Sequence, residues 1–160
     1  MTITIYEIGW IEHFEAHNAI GVTIEEKAAN VAMTYSEDAV LKEFNYATQK
    51  EQEFRGREEI GKFFEWHFSQ ISVKATNDGV TSGGEPFKAG DLMITPDFHT
   101  YPLQGDGADA DVNVNGNTVF VKWSANTDKI NYTDSADSFF LKQVSCGAAK
   151  IAYHFQHVKY

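Results

Sequence analysis

The periodicity of the apolar residues changes once along this chain. Through the first seventy residues they recur mostly at helical spacing, and beyond Val112 they alternate at spacing two. Helices therefore come first and strands afterwards, an order that predicts an α+β fold with helices packed on one face of a curved antiparallel sheet.

Tyr6, Trp10, His13, Phe14 and His17 share one helical face, so the first segment is a helix with an aromatic stripe. Thr23 followed by Glu26 is a capping-box signature. Ile24, Ala28, Val31, Ala32 and Tyr35 continue one face of a second helix, which ends near "YSED". "YSEDAVLKEF" then reads as a turn into a short strand, with Ala39, Leu41 and Glu43 on one face and Val40, Lys42 and Phe44 on the other. Glu43 thus shares an apolar face. Ionised and unpaired in a core it would be costly, or its pKa would rise. It is either a rim carboxylate paired with a cation such as Arg55, or a pocket group. After a polar connection, "FRGREEIGKFFEWHFSQI" opens a third helix with Gly56 as N-cap and Glu58 and Glu59 at the positive end of the dipole. Its buried stripe is Ile60, Phe63, Phe64, His67, Phe68 and Ile71. Trp66 lies off that stripe and calls for a second surface, such as a subunit interface.

Between Ser72 and Ala108 lie half of the 12 glycines and all 3 prolines, around short β-prone pieces such as "DLMIT". "ADVNVNGNTVFVKWSA" carries the Asn115-Gly116 hairpin signal between alternating runs. "DSFFLKQVSCGAAKIAYHFQHVKY" supplies two more strands around a turn at Cys146-Gly147. The length of 160 residues suits one domain, 1–160. A net charge of −10 opposes binding to nucleic acid and to anionic membrane surfaces. No basic leader with a long apolar core begins the chain, and no window has the roughly 18 apolar residues of a spanning helix. Cys146 is the single cysteine, which rules out an internal disulfide and fits a cytoplasmic setting.

Three stretches in this order, "YSEDAVL", "FRGREEIGKFFEWHF" and "ADSFFLKQ…AAKIAYHFQHV", resemble the nuclear-transport-factor-2-like superfamily, whose cone-shaped fold is shared by ketosteroid isomerases and SnoaL-type polyketide cyclases. The likeness lies in an aromatic and acidic pair at a helix end, an Arg-Gly-x-x-x-Ile helix start, and an Asp-x-Phe strand paired with a final strand. It spans Trp10 to Phe68 and Val112 to Val158, and leaves 72–111 as an insertion. It implies three N-terminal helices on a strongly curved, mixed but mostly antiparallel sheet, a cystatin-like cone with an internal pocket. Isomerases of this kind use a carboxylate base on the first strand, a second carboxylic acid on a later strand and a tyrosine on the first helix. By motif these positions fall on Glu43, Asp137 and Trp10. Glu is one methylene longer than Asp, and an indole donates a hydrogen bond without being a useful acid. In the implied chemistry Glu43 takes a proton alpha to a carbonyl, while Asp137, beside Phe139 and Leu141, is kept protonated as a donor.

The resemblance also makes pocket lining out of residues that would otherwise be core: Trp10, Phe14, Tyr35, Phe64 and Trp123. His99 and Tyr101 share a face of a possible strand in the insertion and join them as ligand-binding candidates. His13 and His17 have metal-ligand spacing, yet no acidic or cysteine partner completes a site, and His154 and His157 fall on opposite faces of a strand. No metal and no cofactor are expected. The function implied is a small-molecule pocket protein acting as a cofactor-independent isomerase, cyclase or dehydratase on a hydrophobic carbonyl compound. The alternative is a non-catalytic ligand-binding or dimerisation module, and in either case a homodimer through the sheet face is expected.

Overall fold

Thr4 and Glu7 start the first helix reciprocally. The Glu7 N–H donates to Thr4 Oγ1 (3.1 Å) and the Thr4 N–H to Glu7 Oε2 (2.6 Å), which satisfies donors that no helical carbonyl reaches. Helix α1 (Ile5–His17) buries Gly9, Trp10, His13 and Phe14. Thr23 caps α2 (Ile24–Ala32) by accepting from the Glu26 N–H at 3.1 Å. The computed structural model to which these elements belong describes residues 3–17, 19, 22–70, 108–126 and 131–160. Ile71, His99, Tyr101 and nearly all of the 72–111 insertion lie outside the described residues.

Strand β1 (Tyr35–Asn45) buries Ala39, Leu41, Glu43 and Asn45 and leaves Val40, Lys42 and Phe44 half-buried on the other face. The polar connection expected after it is in fact a strand, β2 (Lys50–Arg55), antiparallel to β1. Its sequence hid it because an edge strand with little to bury shows no alternation; Phe54 is its single apolar residue. Lys42 lies 3.7 Å from Glu51 and 3.4 Å from Glu53 across the pair. Gly56, at φ +74°, makes the turn into α3 (Gly56–Gln70). A left-handed residue there explains the glycine. The Glu59 carboxylate, accepting the Arg55 N–H at 2.7 Å, does the capping.

Strands β3 (Ala108–Asn115) and β4 (Thr118–Asn126) form the hairpin at Gly116, and β5 (Asn131–Ser145) and β6 (Ala148–Val158) the one at Gly147. The sheet order is β2-β1-β6-β5-β4-β3. β1 and β6 run parallel and the other neighbours antiparallel, so the sheet is mixed, mostly antiparallel and not closed. Register shifts in the β1–β6, β4–β5 and β5–β6 pairs bend it, since each unpaired residue adds local twist. The helices fill one face, with Phe14, Val31, Ile60, Phe64 and Phe68 packed against Leu41, Phe139 and Ile151.

Helix α1 approaches β5 and β6 so closely that a Cβ on Gly9 would lie 2.6 Å from the Ala149 carbonyl oxygen and 3.0 Å from Leu141 Cδ2. Backbone cannot yield as a side-chain tip can. Gly9→Ala is therefore expected to lower stability by about 1–3 kcal/mol in urea unfolding. An unchanged midpoint would mean that α1 is not seated on this sheet.

Candidate functional site

Strand pairing alone sets four polar side chains in a row. Gln52 on β2 is opposite Glu43 on β1, Glu43 opposite Gln156 on β6, and Gln156 opposite Asp137 on β5. Glu43 and Gln156 are buried, and the Asp137 side chain is 13% exposed. With two strand spacings between them, the Cα atoms of Glu43 and Asp137 are about 10 Å apart. Arg55, the cation considered as a partner for Glu43, pairs with Glu53. Glu43 instead meets Gln52 Nε2 at 3.5 Å. Burial, and secondly the Asp137 charge, push its pKa up to about 7.

The next rung along the sheet holds Leu41, His154 and Phe139. His154 is buried, with its ring stacked 4.0 Å from Phe139. Its Nδ1 is 2.8 Å from the Tyr35 hydroxyl, and its Nε2 is 3.5 Å from Asp137 Oδ1. Asp137 Oδ2 accepts the Trp123 indole N–H at 3.1 Å. Two hydrogen-bonded pairs, Tyr35 with His154 and Trp123 with Asp137, thus lie side by side, and between them His154 Nε2 and Asp137 Oδ1 have no hydrogen-bond partner among the described residues. The surroundings of Asp137 are more polar than its apolar strand neighbours suggest.

Trp10 is buried against Phe139, with ring centres 5.0 Å apart, and its Nε1 has no partner among the described residues. Phe14 and Phe64 are buried in the same aromatic layer. His13 Nδ1 is 2.8 Å from Thr34 Oγ1. The Thr34 hydroxyl donates to the Val31 carbonyl at 2.6 Å, so His13 is the donor to Thr34. Burial, then the charge of His154, lowers the His13 pKa to about 3; burial, then His154 and Lys27, lowers that of His67 to about 3.

Tyr132 and Gln156 escaped the sequence reading, in which His154 figures only as a metal-ligand candidate. The alternation of β5 through Ser135, Asp137, Phe139 and Leu141 puts even-numbered residues outside, yet Tyr132 is buried. A bulge causes this. Trp123 is opposite Ser135 and Ala125 opposite Tyr132, so Thr133 and Asp134 together face one β4 residue. Asp134 takes φ +47°, and the Tyr46 hydroxyl holds its carbonyl at 2.6 Å. The Tyr132 hydroxyl, Ser135 Oγ and Gln156 Oε1 have no hydrogen-bond partner among the described residues. Burial, then the nearby Tyr160 and Glu43, raises the Tyr132 pKa and keeps it a proton donor.

His157 points out of the sheet while His154 points in. On that outer face the rings of Phe140, Tyr153, Phe155, His157 and Phe44 form a continuous contact series. Trp66 is exposed and lines a groove with Ile24, Glu25, Lys62, Glu65 and Ser69. Among the described residues, no group of three or more His, Cys, Asp or Glu could hold a metal ion, and no helix is long and apolar enough to cross a membrane.

No protein-family model and no curated protein matches the sequence. Solved structures match the fold. A de novo designed protein with a curved β-sheet is 16% identical over 99% of this chain and 88% of its own, with a TM-score of 0.53. A ketosteroid isomerase-like protein from Erwinia carotovora atroseptica is 13% identical over 96% and 93%, with a TM-score of 0.51. Nuclear transport factor 2 from Cryptosporidium parvum is 13% identical over 99% and 98%, with a TM-score of 0.50. At such identities the likeness is one of fold, and the fold is the nuclear-transport-factor-2-like α+β cone that the motifs implied.

Proposed function

We propose that this chain is a small-molecule pocket protein that moves protons on a hydrophobic carbonyl compound, as a cofactor-independent isomerase, cyclase or dehydratase. The observation that carries the reading is the Glu43–Gln156–Asp137 row: two inward-facing carboxyls on one rung of the sheet, with β6 between them, and one of them pushed up to a pKa of about 7. An acid or base works best near the ambient pH, within hydrogen-bond reach of the proton it transfers. The unpartnered Trp10 N–H and Tyr132 O–H are donors for the oxygen on which charge develops. Trp10, Phe14, Tyr35, Phe64 and Trp123 supply the lining. The ketosteroid isomerase-like name of one fold neighbour agrees with this chemistry. One exposed cysteine and no partner for it within the chain suit a cytoplasmic site of action.

The test is solvent-deuterium incorporation at the α-carbon of a panel of cyclic β,γ-unsaturated ketones and 1,3-diketones, followed by proton NMR. Wild type is expected to accelerate exchange of at least one member about 100-fold or more over buffer, and the Glu43→Gln/Asp137→Asn double variant to return it to the buffer rate. Binding of panel members without any exchange would leave a ligand-binding module in place of an enzyme.

The outer aromatic series supports a second element of the reading, a homodimer through the sheet face. Phe120 and Phe140 are 45% and 41% exposed there, an unusual outlay of aromatic surface for a monomer. Light scattering should give twice the chain mass, and Phe140→Glu should give the single mass; a wild-type monomer would end the proposal.

A further inference from the structure

The buried polar groups of this chain fall into two populations. Around α1 and β1 they are paired: His13 with Thr34 at 2.8 Å, Ser36 with Asp38 at 2.9 Å, and Asn45 with the Ala47 N–H at 3.1 Å. On the two central strands atoms are left over. Beyond the Trp10 and Tyr132 donors already described, Ser135 Oγ and Asp137 Oδ1 on β5, His154 Nε2 and Gln156 Oε1 on β6, and His67 Nδ1 on α3 have no hydrogen-bond partner among the described residues. Asp137 is opposite Gln156; Ser135 is the next inward position to one side of that pair and His154 the next to the other, each about 7 Å along. His67 comes down at the Ser135 end, where its ring is 6.1 Å from that of Tyr132. Ser135, Gln156 and His67 are 0%, 3% and 4% exposed. Unpaired groups buried this deeply cost folding stability, and the paired groups around β1 show a core that otherwise avoids the cost. Left-over polar atoms gathered on one face are the mark of a site completed by a ligand.

The atoms at the Ser135 end restrict what that ligand carries. Ser135 has a proton to give, and Gln156 Oε1 only accepts. The carboxyls of Glu43 and Asp137 flank Gln156 on its rung, so a carboxylate or phosphate would be repelled and would bring no proton for Gln156. Lys27, whose charge reaches His67, has its Nζ over the Phe68 ring, 4.9 Å from the centre. An ammonium has no lone pair for the Ser135 proton. A hydroxyl group both donates and accepts. We propose that this end of the row is a subsite for a ligand hydroxyl, which accepts from Ser135 Oγ and donates to Gln156 Oε1 beneath the His67 ring, and that the compound this chain binds is an uncharged, hydroxy-substituted carbonyl compound. The proposal rests on the pocket function given above and names the substrate class of that pocket. The carbonyl group is handled at the Glu43–Gln156–Asp137 row, and the hydroxyl is held between that row and Ser135. An analogue without the hydroxyl is discriminated against because it leaves both protein groups buried and unpaired.

NMR titration of the full chain with 4-hydroxycyclohexanone, and with 4-methylcyclohexanone, in which a methyl group replaces the hydroxyl, tests the subsite. Wild type should bind the alcohol about tenfold or more tightly than the methyl analogue. Ser135→Ala and Gln156→Met each remove one partner and nearly keep the shape, so in either variant the two Kd values should come within about threefold of each other. Undiminished binding of 4-methylcyclohexanone shows that a variant is folded, and either variant alone decides the matter. The anionic 4-oxocyclohexanecarboxylate should bind wild type about tenfold or more weakly than the alcohol. Equal binding of the alcohol and its methyl analogue, which is also the result expected if ordered water alone pairs these groups, overturns the subsite and leaves the pocket function standing. So does a preference for the alcohol that survives in both variants, or tighter binding of the carboxylate. If no probe binds wild type, the pocket function itself fails and the subsite falls with it.

Discussion

Glu43→Gln is expected to stabilise the fold by about 3 kcal/mol at pH 8 and by almost nothing at pH 4. The buried carboxyl has its pKa raised from 4.5 to about 7, by burial first and by Asp137 second. A raised pKa means that the folded chain holds the proton between those two values while the unfolded chain has released it. The stability this confers is complete below pH 4.5 and is lost as pH rises through 7. Above 7 the folded protein carries an ionised Glu43 in a buried row, whereas in the unfolded chain the same charge is hydrated. Glutamine has nearly the same shape and no charge at any pH, so the variant escapes the high-pH cost. Urea unfolding at pH 4 and pH 8 measures the difference; an equal effect at both values would show that Glu43 does not titrate in this window. A position at which glutamine is both tolerated and stabilising is one where stability has been set against function. The same substitution is expected to impair exchange, and the opposition of the two effects is what separates a working carboxyl from a structural one.

The parts legible in the sequence are those that local rules decide. The parity of β1 put Glu43 beside Leu41 on the inward face, and the structure buries both. Thr23 and Glu26 marked the start of α2, and the odd offset between His154 and His157 placed one inside and one outside. What was missed needed either an interrupted period or a distant partner. Strand β2 has no buried face to give it alternation, and Tyr132 is turned inward by the two-residue bulge at Thr133 and Asp134, so its spacing from Ser135 pointed the wrong way. Tyr35 and His154 are 119 residues apart, and they meet because β1 pairs in parallel with β6 in a register that no single strand declares. The polar company of Asp137 has the same origin. Its strand neighbours Phe139 and Leu141 are apolar, and its donor comes from β4, with His154 of β6 lying 3.5 Å away.

Acid should unfold this protein in a transition that steepens below pH 4.5. His13 and His67 are both buried, and burial, followed by the charge of His154, lowers each pKa from 6.5 to about 3. A depressed pKa contributes stability that is complete above 6.5 and is lost as pH falls toward 3, because the unfolded chain takes up protons that the folded one refuses. Two such rings remove about 2.7 kcal/mol per pH unit. Between pH 6.5 and 4.5 Glu43 acts in the opposite direction and returns about 1.4 kcal/mol per unit, so the net loss by pH 4.5 is about 3 kcal/mol. Below 4.5 that compensation is complete and the slope doubles. For a domain of ordinary stability, about 5–15 kcal/mol, the midpoint then falls in the steep region. The slope of unfolding free energy against pH, taken from urea titrations between pH 7 and 4, counts the protons involved. His67→Phe keeps an aromatic ring stacked near Phe63, now 5.7 Å away and 15° from parallel, and removes one of the two titrating groups. In that variant the slope between pH 6.5 and 4.5 should vanish, since His13 and Glu43 then cancel. A slope as steep as that of wild type would mean that His67 is solvated enough to charge within the fold, and the layer between α3 and the sheet would be wet.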